Sequence, residues 1–354
     1  MRVTCPTKMN TYFRTTMFAF LLIHFLTISQ SQGTIDLHQF RKDSHDDRVK
    51  REASHEPFVF PGLLPQQTPL QITPGGSETF LIQDVLLGDL CLVPTNMETR
   101  PAGSPSFGTF ANGLASIGIE EGVILATGDS EIALGPNTSS NDGTTGGGTA
   151  GFDADLAAIS GSSALFNVTI LEFDFIPDED KIAFDYVFAS EEYCEYVSTV
   201  FNDAFGFFLS GPGINGPYTD NAINIATIPG TNTPVAINNV NWTLNSSYYV
   251  TNAVNEFPGT PPGNCTAAET SQPTPLSTFI EYDGFTTNLT AEADVIPCEV
   301  YHIKIAIADI GDGIFDSAVF LGKNSFVSGD DNTRINVVSG YTDPNDETAE
   351  EGCE

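Results

Sequence analysis

The feature that most constrains the fold is a series of short segments in which apolar and polar side chains alternate. A period of two gives a β-strand one buried face and one exposed face. Shorter apolar runs ended by Gly, Pro, Asp or Asn lie between these segments. The alternating segments are residues 167–175, 181–188, 234–241 and 300–308, and the shorter runs are residues 122–128, 204–211, 223–230, 278–285 and 317–322. Two stretches, near Glu78 and near Asp153, predict helical turns.

This pattern predicts an all-β fold, specifically a β-sandwich or jelly-roll-like single domain with long loops over residues 78–328. Two polar loops, residues 135–155 and 256–275, interrupt the predicted strands. Loops of this length on a β scaffold are either functional or disordered, and the sequence leaves both possibilities open.

The amino-terminal residues predict export from the cell. Lys8 and Arg14 precede an apolar run at residues 17–29, which small residues follow, as in a secretory signal peptide covering residues 1–31. Residues 32–77 read as a propeptide or Pro-rich linker. They contain Arg48-Val49-Lys50-Arg51, which is either a furin-like cleavage site or a chance basic cluster. Residues 329–354 form an acidic tail.

The charge distribution excludes several kinds of partner. Residues 1–51 hold eight of the thirteen Lys and Arg residues and four of the 46 acids, which leaves 42 acids and five basic residues in the rest of the chain. Such a surface repels nucleic acids and anionic membranes and attracts divalent cations. No second apolar stretch is long enough to span a membrane, so we expect no membrane insertion of the mature chain.

Cysteines and sequons fit a secreted glycoprotein. Removal of Cys5 with the signal peptide leaves five cysteines, an odd number, and Cys353 in the acidic tail is the expected unpaired one. Six Asn-x-Ser/Thr sequons point weakly in the same direction, and they begin at Asn137, Asn167, Asn241, Asn245, Asn264 and Asn288.

The residues needed for most catalytic sites are missing. After Arg51 the histidines are His55 and His302, and His302 shares a strand face with Lys304, where a structural or exposed role is expected. The chain therefore offers almost no histidine that could serve in a Ser-His-Asp or Cys-His site. We expect no enzymatic activity, with a glycosidase-like secreted hydrolase that uses two carboxylates as the alternative.

Clustered acids at predicted strand ends suggest a calcium site. Carboxylates around a turn that Gly permits supply the oxygen ligands that calcium prefers. The candidate ligands are Asp309, Asp312 and Asp316 first, and then Glu191, Glu192 and Asp203. The alternative is a rim of solvated acidic loops. Glu191 and Glu192 should point to opposite faces of a strand, so these two alone cannot flank one bond.

Several sequence blocks together resemble the choice-of-anchor L domain family. They include FDYVFASEEYCEYVSTVFNDAFGFFLSGPGI from Phe184, LIQDVLLGDLC from Leu81, IGIEEGVILATGD from Ile117 and CEVYHIKIAIADIGDGIFDSAVFL from Cys298. Further blocks are GPNTSSNDGT, NIATIPGTNTPVAINNVN and YDGFTTNLTA, and all occur in family order across residues 78–328.

The resemblance implies a β-rich extracellular module of secreted and surface proteins with an adhesive role and no established catalytic residues. Cys194 departs from the family, whose members tend to have Pro after SEEY, and its candidate disulfide partners are Cys265 and Cys298. We therefore predict a secreted or cell-surface adhesion module that is calcium-stabilised and recognises a glycan or an extracellular surface protein through rim loops. The other alternative is a structural matrix component.

Overall fold

The structure is a computed structural model, and it describes residues 68–87, 92–103, 105–137, 143, 148–253 and 279–328. The predicted signal peptide, the Arg48–Arg51 site, the acidic tail and the loop at 256–275 lie outside these residues.

The larger sheet has nine strands within the described residues. The strands are β1 (Gln71–Pro74), β3 (Phe107–Ala111), β4 (Gly122–Ala126), β7 (Lys181–Ser190), β10 (Tyr249–Thr251), β11 (Gly284–Thr286), β12 (Leu289–Asp294), β14 (Ser317–Gly322) and β15 (Val327–Ser328). Their order is β1-β3-β4-β14-β7-β11-β10, and β12 and β15 also pair with β7. All of these strand pairs are antiparallel.

The smaller sheet has six strands in the same part of the chain. Its order is β2-β6-β13-β8-β9, with β5 also paired to β6, and its pairs are antiparallel. The strands are β2 (Thr95–Arg100), β5 (Ala150–Gly151), β6 (Leu165–Phe175), β8 (Ala204–Ser210), β9 (Ile223–Asn224) and β13 (Tyr301–Ile310).

One hydrophobic core holds the two sheets face to face. Alternate residues of β7 and β14 and alternate residues of β6, β8 and β13 contribute to the same buried cluster. Phe326 lies between the sheets: its ring centroid is 5.3 Å from that of Phe184 and 5.5 Å from that of Phe173. The all-β sandwich prediction is therefore confirmed.

Short helices pack against the two sheets. A π-helix, Phe80–Leu86, buries Leu81 and Leu86, and the helix α1, Ala154–Ser160, lies on the outer face of the smaller sheet. The Asp153 side chain caps α1 by accepting hydrogen bonds from the backbone N–H groups of Asp155 and Leu156. Both predicted helical turns are present. Single-turn 3₁₀ helices occur at Ser130–Ala133, Thr219–Asn221 and Ser246–Tyr248.

One predicted strand is wrong. Residues 234–241 form turns with isolated bridges at Pro234 and Ala236, because asparagine side chains there bond the backbone. The Asn239 Nδ2 donates to the Pro234 carbonyl at 2.9 Å, and the Asn241 Oδ1 accepts from the Leu244 N–H at 3.0 Å. Strand β1 was not predicted, and the expected domain start at residue 78 falls after it.

Two of the connections that pass from one sheet to the other lie side by side at one end of the sandwich. Residues 191–203 connect β7 to β8, and residues 311–316 connect β13 to β14. The strand ends are neighbours, since Ser190 pairs with Ser317 and Ala204 pairs with Ala308. We call these two crossover loops, with the strand ends that they join, the acidic end.

Candidate functional site

The acidic end brings all six predicted ligand residues together. The two crossover loops touch directly, because the Glu191 N–H donates a hydrogen bond to the Asp316 carbonyl at 3.1 Å. Asp203 immediately precedes β8, and Asp309 is the second-last residue of β13. The six residues were chosen because they lie at predicted strand ends, and in the structure these strand ends lie in one region of the molecule.

The predicted solvated rim is wrong, because the acids are buried. Each of the predicted ligands except the half-buried Asp312 is almost completely inaccessible, and so is the neighbouring Glu195. Both loops cross between the sheets, so their first and last side chains face the interior. Glu191 and Glu192 do not lie on opposite faces of a strand either, since β7 ends at Ser190 and both follow in a turn.

Asp203 has a hydrogen-bond partner at each of its carboxylate oxygens. Its Oδ1 accepts a hydrogen bond from the Ile310 N–H at 2.9 Å, and its Oδ2 accepts one from the Ser317 hydroxyl at 2.6 Å. Burial raises the pKa of Asp203 to about 7, and these two hydrogen bonds oppose the rise. Asp203 thus ties the start of β8 to both ends of the other crossover loop.

Glu192 is buried with a free oxygen. Only 2 % of the residue is exposed, and within the described part of the chain its Oε2 has no hydrogen-bond partner. Burial raises the pKa of Glu192 to about 10, and the charges of Asp203, Asp312 and Glu195 add to this effect. A carboxylate in such a place must hold a proton or meet a cation.

Asp309 occupies a second buried position. Its Oδ2 accepts a hydrogen bond from the Asn167 Nδ2 at 2.8 Å, and the Thr127 hydroxyl also interacts with this carboxylate. Burial and the charges of Asp203 and Asp316 raise its pKa well above the usual value. In the sequence Asn167 stands out only as the start of a sequon, and nothing there indicates this hydrogen bond.

The charges of these acids also act on two tyrosines, and neither tyrosine was predicted as part of the site. Tyr282 is completely buried, and its pKa is raised by burial and then by the charges of Asp316, Glu191, Asp309 and Asp129. Tyr196 is half-buried, and its pKa is raised by burial and then by Glu192, Glu195 and Asp312. In the sequence each of these tyrosines is simply an aromatic residue next to an acid, which gives no sign that it contacts the site.

The acids therefore interact electrostatically across the two crossover loops. The charges of Asp203 and Asp312 act on Glu192, and those of Asp203 and Asp316 act on Asp309. In the described ranges, no three His, Cys, Asp or Glu side chains stand close enough to hold a metal ion.

His302 and Lys304 have structural partners on the outer face of the smaller sheet. The His302 Nδ1 is 2.7 Å from the Asp174 Oδ1, and the Lys304 Nζ is 2.7 Å from both Asp153 and Asp155. The structural role expected for His302 is consistent with this contact.

Cys194 and Cys298 are the cysteines among the described residues, and both are disulfide-bonded. Cys91, Cys265 and Cys353 lie outside that part of the chain, so the predicted pairing of Cys194 stays a prediction. No helix in the described residues is long and apolar enough to cross a membrane.

Comparison with known proteins identifies one family. The family described as "Choice-of-anchor L domain" matches residues 72–327, which includes both crossover loops. No curated protein matches the chain. A carbohydrate-binding module, CBM28, specific for non-crystalline cellulose, shares 12 % sequence identity with a TM-score of 0.24, over 56 % of this chain and 76 % of that one. This likeness is too distant to support an inference about fold or ligand.

Proposed function

Because the chain belongs to the choice-of-anchor L domain family, a family of surface and secreted proteins, we propose that it is a binding module that acts outside the cell. In this proposal, the loops of the acidic end recognise a glycan or an extracellular surface protein, and calcium stabilises those loops. The module has no catalytic role. Secretion, calcium and the ligand class are all parts of the proposal.

The observation that carries the proposal is that two loops with exposed apolar side chains are fastened to the core beneath them. Val200 is 75 % exposed and Ile314 is 44 % exposed, one on each crossover loop. The loops approach closely, since a Cβ on Gly311 would lie 3.7 Å from the Val200 carbonyl oxygen. Loops held by a rigid β scaffold are common binding surfaces, and exposed apolar side chains favour contact with a partner.

Calcium fits the chemistry of the residues below these loops. Buried carboxylates that share a small volume repel one another, and a bound cation removes that repulsion. The buried carboxylate oxygens of Glu192 and Asp309 are hard ligands of the kind calcium prefers. Glu192, Asp309 and Asp312 would supply such ligands, and the cation would supply the positive charge that holds the two loops together.

Burial favours binding over the hydrolase alternative. A glycosidase needs two carboxyl groups that flank a substrate bond. Glu191, Glu192, Asp203 and Asp309 are instead buried beneath the loops. Turnover of a glycoside that the Glu192→Gln change abolishes would reverse this conclusion.

The test is a screen of the purified chain against glycan arrays and extracellular surface proteins, with calcium present. The double change Val200→Asp and Ile314→Asp should weaken binding to any ligand found by at least about tenfold, because each buried apolar side chain contributes roughly 1.5–3 kcal/mol. Leu114→Asp is the matched control, since Leu114 is 63 % exposed and lies between β3 and β4. Equal losses in both variants would contradict the assignment to the acidic end.

A further inference from the structure

Cys194 and Cys298, which are both disulfide-bonded, lie at opposite ends of the sandwich. Cys194 comes four residues after Ser190, where β7 finishes at the acidic end. Cys298 lies beside the other end of that strand, because its N–H donates a hydrogen bond at 2.8 Å to the carbonyl of Pro177, four residues before β7 begins. The strand between them has ten residues and spans roughly 30 Å.

The two cysteines are therefore too far apart to bond to each other, since a disulfide holds its two Cα atoms about 4–7 Å apart. Cys298 is thereby excluded as the partner of Cys194, although the sequence alone left this pairing open. Neither thiol is free, so each is bonded to a cysteine that lies outside the described residues. With Cys5 in the predicted signal peptide, those cysteines are Cys91, Cys265 and Cys353.

The described residues before Cys91 limit how far it can reach. Leu87 bridges Phe326, and the residue after Phe326 pairs with Ala183 of β7. Four residues of chain carry Cys91 at most about 14 Å from Leu87. The end of β7 is seven residues beyond Ala183, which is roughly 24 Å. Cys194, which follows that end, is therefore out of the reach of Cys91.

The described residues after Cys91 bring the chain toward Cys298. Thr95 of β2 pairs with Asp174 near the end of β6. Because these strands are antiparallel, the residues before Thr95 extend in the same direction as the residues after Asp174, toward Pro177. Pro177 is the residue to which Cys298 is hydrogen-bonded. Cys91, four residues before Thr95, is therefore the nearest candidate partner of Cys298.

The described residues on both sides of Cys265 lie beside Cys194. The Asn252 Nδ2, before it, donates a hydrogen bond at 2.9 Å to the carbonyl of Tyr282, after it. Two residues later, Gly284 packs against the tyrosine that precedes Cys194, since a Cβ on Gly284 would lie 2.8 Å from the Cβ of that tyrosine. The chain thus leaves and re-enters the described part at the acidic end, where closing a bond to Cys194 costs little chain entropy.

We infer that the chain forms two separate disulfides, Cys91–Cys298 and Cys194–Cys265, which fasten opposite ends of the sandwich and leave Cys353 unpaired. These bonds go beyond the proposed recognition role and rest only on its export, because thiols stay reduced in most intracellular compartments. Each bond forms when a protein disulfide of the secretory compartment accepts two electrons and two protons from a cysteine pair and itself becomes a dithiol. The Cys194 bond fixes one crossover loop of the acidic end, whereas the Cys298 bond lies far from it.

Mass spectrometry of the unreduced protein tests the pairing. The full chain is secreted from a eukaryotic host, its free thiols are alkylated, and it is digested with pepsin at acidic pH, where thiolates are scarce and disulfides exchange slowly. Trypsin is unsuitable, because residues 182–303 contain no Lys or Arg and keep Cys194, Cys265 and Cys298 on one peptide. The digest should contain one peptide pair that joins Cys91 to Cys298, another that joins Cys194 to Cys265, and an alkylated Cys353.

Serine variants test the same assignment through stability. Cys91→Ser and Cys298→Ser should lower the unfolding temperature by similar amounts, and the double variant should be no less stable than either, because all three lack the same bond. Cys298→Ser combined with Cys194→Ser should instead lower it by the sum of the single effects, since the two bonds lie at opposite ends. Cys353→Ser is the control and should keep the wild-type midpoint. If a variant is not secreted, the peptide map of the wild type decides alone.

Three results would overturn the inference. A peptide pair that joins Cys194 to Cys298 would contradict the separation of the two bonds. A disulfide that contains Cys353 would contradict the assigned partners. Alkylation of all five cysteines in the secreted protein would mean that neither bond forms. None of these results bears on recognition of a glycan or surface protein, which the Val200 and Ile314 variants test separately.

Discussion

Asp203 and Ser317 join the two sheets through a 2.6 Å hydrogen bond from the Ser317 hydroxyl to the Asp203 carboxylate. Asp203 precedes β8 of the smaller sheet, and Ser317 begins β14 of the larger one. The bond therefore fastens one crossover loop to the other from below, and it makes the mechanical stability of the acidic end depend on two side chains.

We expect Asp203→Ala to destabilise the protein by about 2–4 kcal/mol, because it leaves the Ile310 N–H and the Ser317 hydroxyl buried without an acceptor. Ser317→Ala should cost about 1–2 kcal/mol, and the double variant should cost less than the sum. Urea unfolding at about pH 8, above the pKa of Asp203, measures these differences. Asp294→Ala, at an exposed position of β12, is the control. Equal stability of the Asp203 and Asp294 variants would show that the bond contributes nothing.

Calcium should raise the unfolding temperature. At a hundredfold excess over Kd, binding stabilises the folded state by about 2.7 kcal/mol, which corresponds to roughly 5–11 °C for a domain of this size. Asp312→Asn should remove most of this increase, whereas Asp294→Asn, an equal charge change at an exposed position of β12, should keep it. The measurement is thermal unfolding in millimolar calcium and in chelator at constant ionic strength. If the two wild-type midpoints coincide, the acidic end has no specific calcium site.

His302 should make stability depend on pH in a definite direction. The Glu172 carboxylate, and then the Asp174 carboxylate, raise the pKa of His302 above 6.5, and the neighbouring Lys304 interacts with Glu172. A raised pKa in the folded state means that the stabilisation is complete below the unfolded value of about 6.5 and is lost as pH rises through the folded value.

The readout is the difference in unfolding free energy between wild type and His302→Gln, measured by urea unfolding from about pH 5 to pH 9. The wild type should be favoured at the acidic side, and the difference should shrink as the pH increases. The groups that face the ring are Glu172 and Asp174 from β6 and Ser210 from β8, and Asn96 bonds Asp174. A difference that stays constant with pH would mean that the pKa of His302 is the same in the folded and unfolded states.

Among the sequons in the described part of the chain, the one that begins at Asn288 is accessible for glycosylation. Asn288 is exposed at the turn before β12. The Nδ2 groups of Asn137, Asn167 and Asn241 instead donate hydrogen bonds in the interior. Asn245 is half-buried and its Nδ2 is also bonded, and Asn264 lies outside the described residues. Attachment of a sugar to a buried amide would remove its hydrogen bonds and displace the core.

When the chain is secreted by a eukaryotic host, mass spectrometry after enzymatic deglycosylation should find a modified Asn288 and unmodified Asn137, Asn167 and Asn241. The Asn288→Gln change should abolish the glycan at this position, and Asn245→Gln serves as its control. A glycan on Asn167 in folded, secreted protein would contradict the hydrogen bond to Asp309.

The sequence predicted most of the sheet structure because alternation records which side of a strand is buried. Strands β6, β7 and β13 begin and end within two residues of the predicted segments. The prediction failed at residues 234–241, where the same alternation is built from asparagines that bond the backbone locally and thereby replace a strand partner. Alternation alone does not separate these two cases.

The candidate site could be located from the sequence but not described. Strand-end positions brought the acids to one region, yet nothing in the sequence showed that the connections after β7 and β13 each cross between sheets. That crossing is what buries Glu192 and Asp309.

The position of β15 has a consequence for how the domain would be held. Val327 and Ser328 pair with Ala183 and Ile182, near the start of β7, whereas the acidic end begins where β7 finishes. At 3.4 Å per residue this separation is roughly 25 Å. The chain enters through β1 in the same half, since Gln71 pairs with Ala111 and the adjacent Phe110 pairs with Gly122 at the start of β4. A domain tethered through either of these strands would present Val200 and Ile314 at its free tip, facing away from whatever holds it.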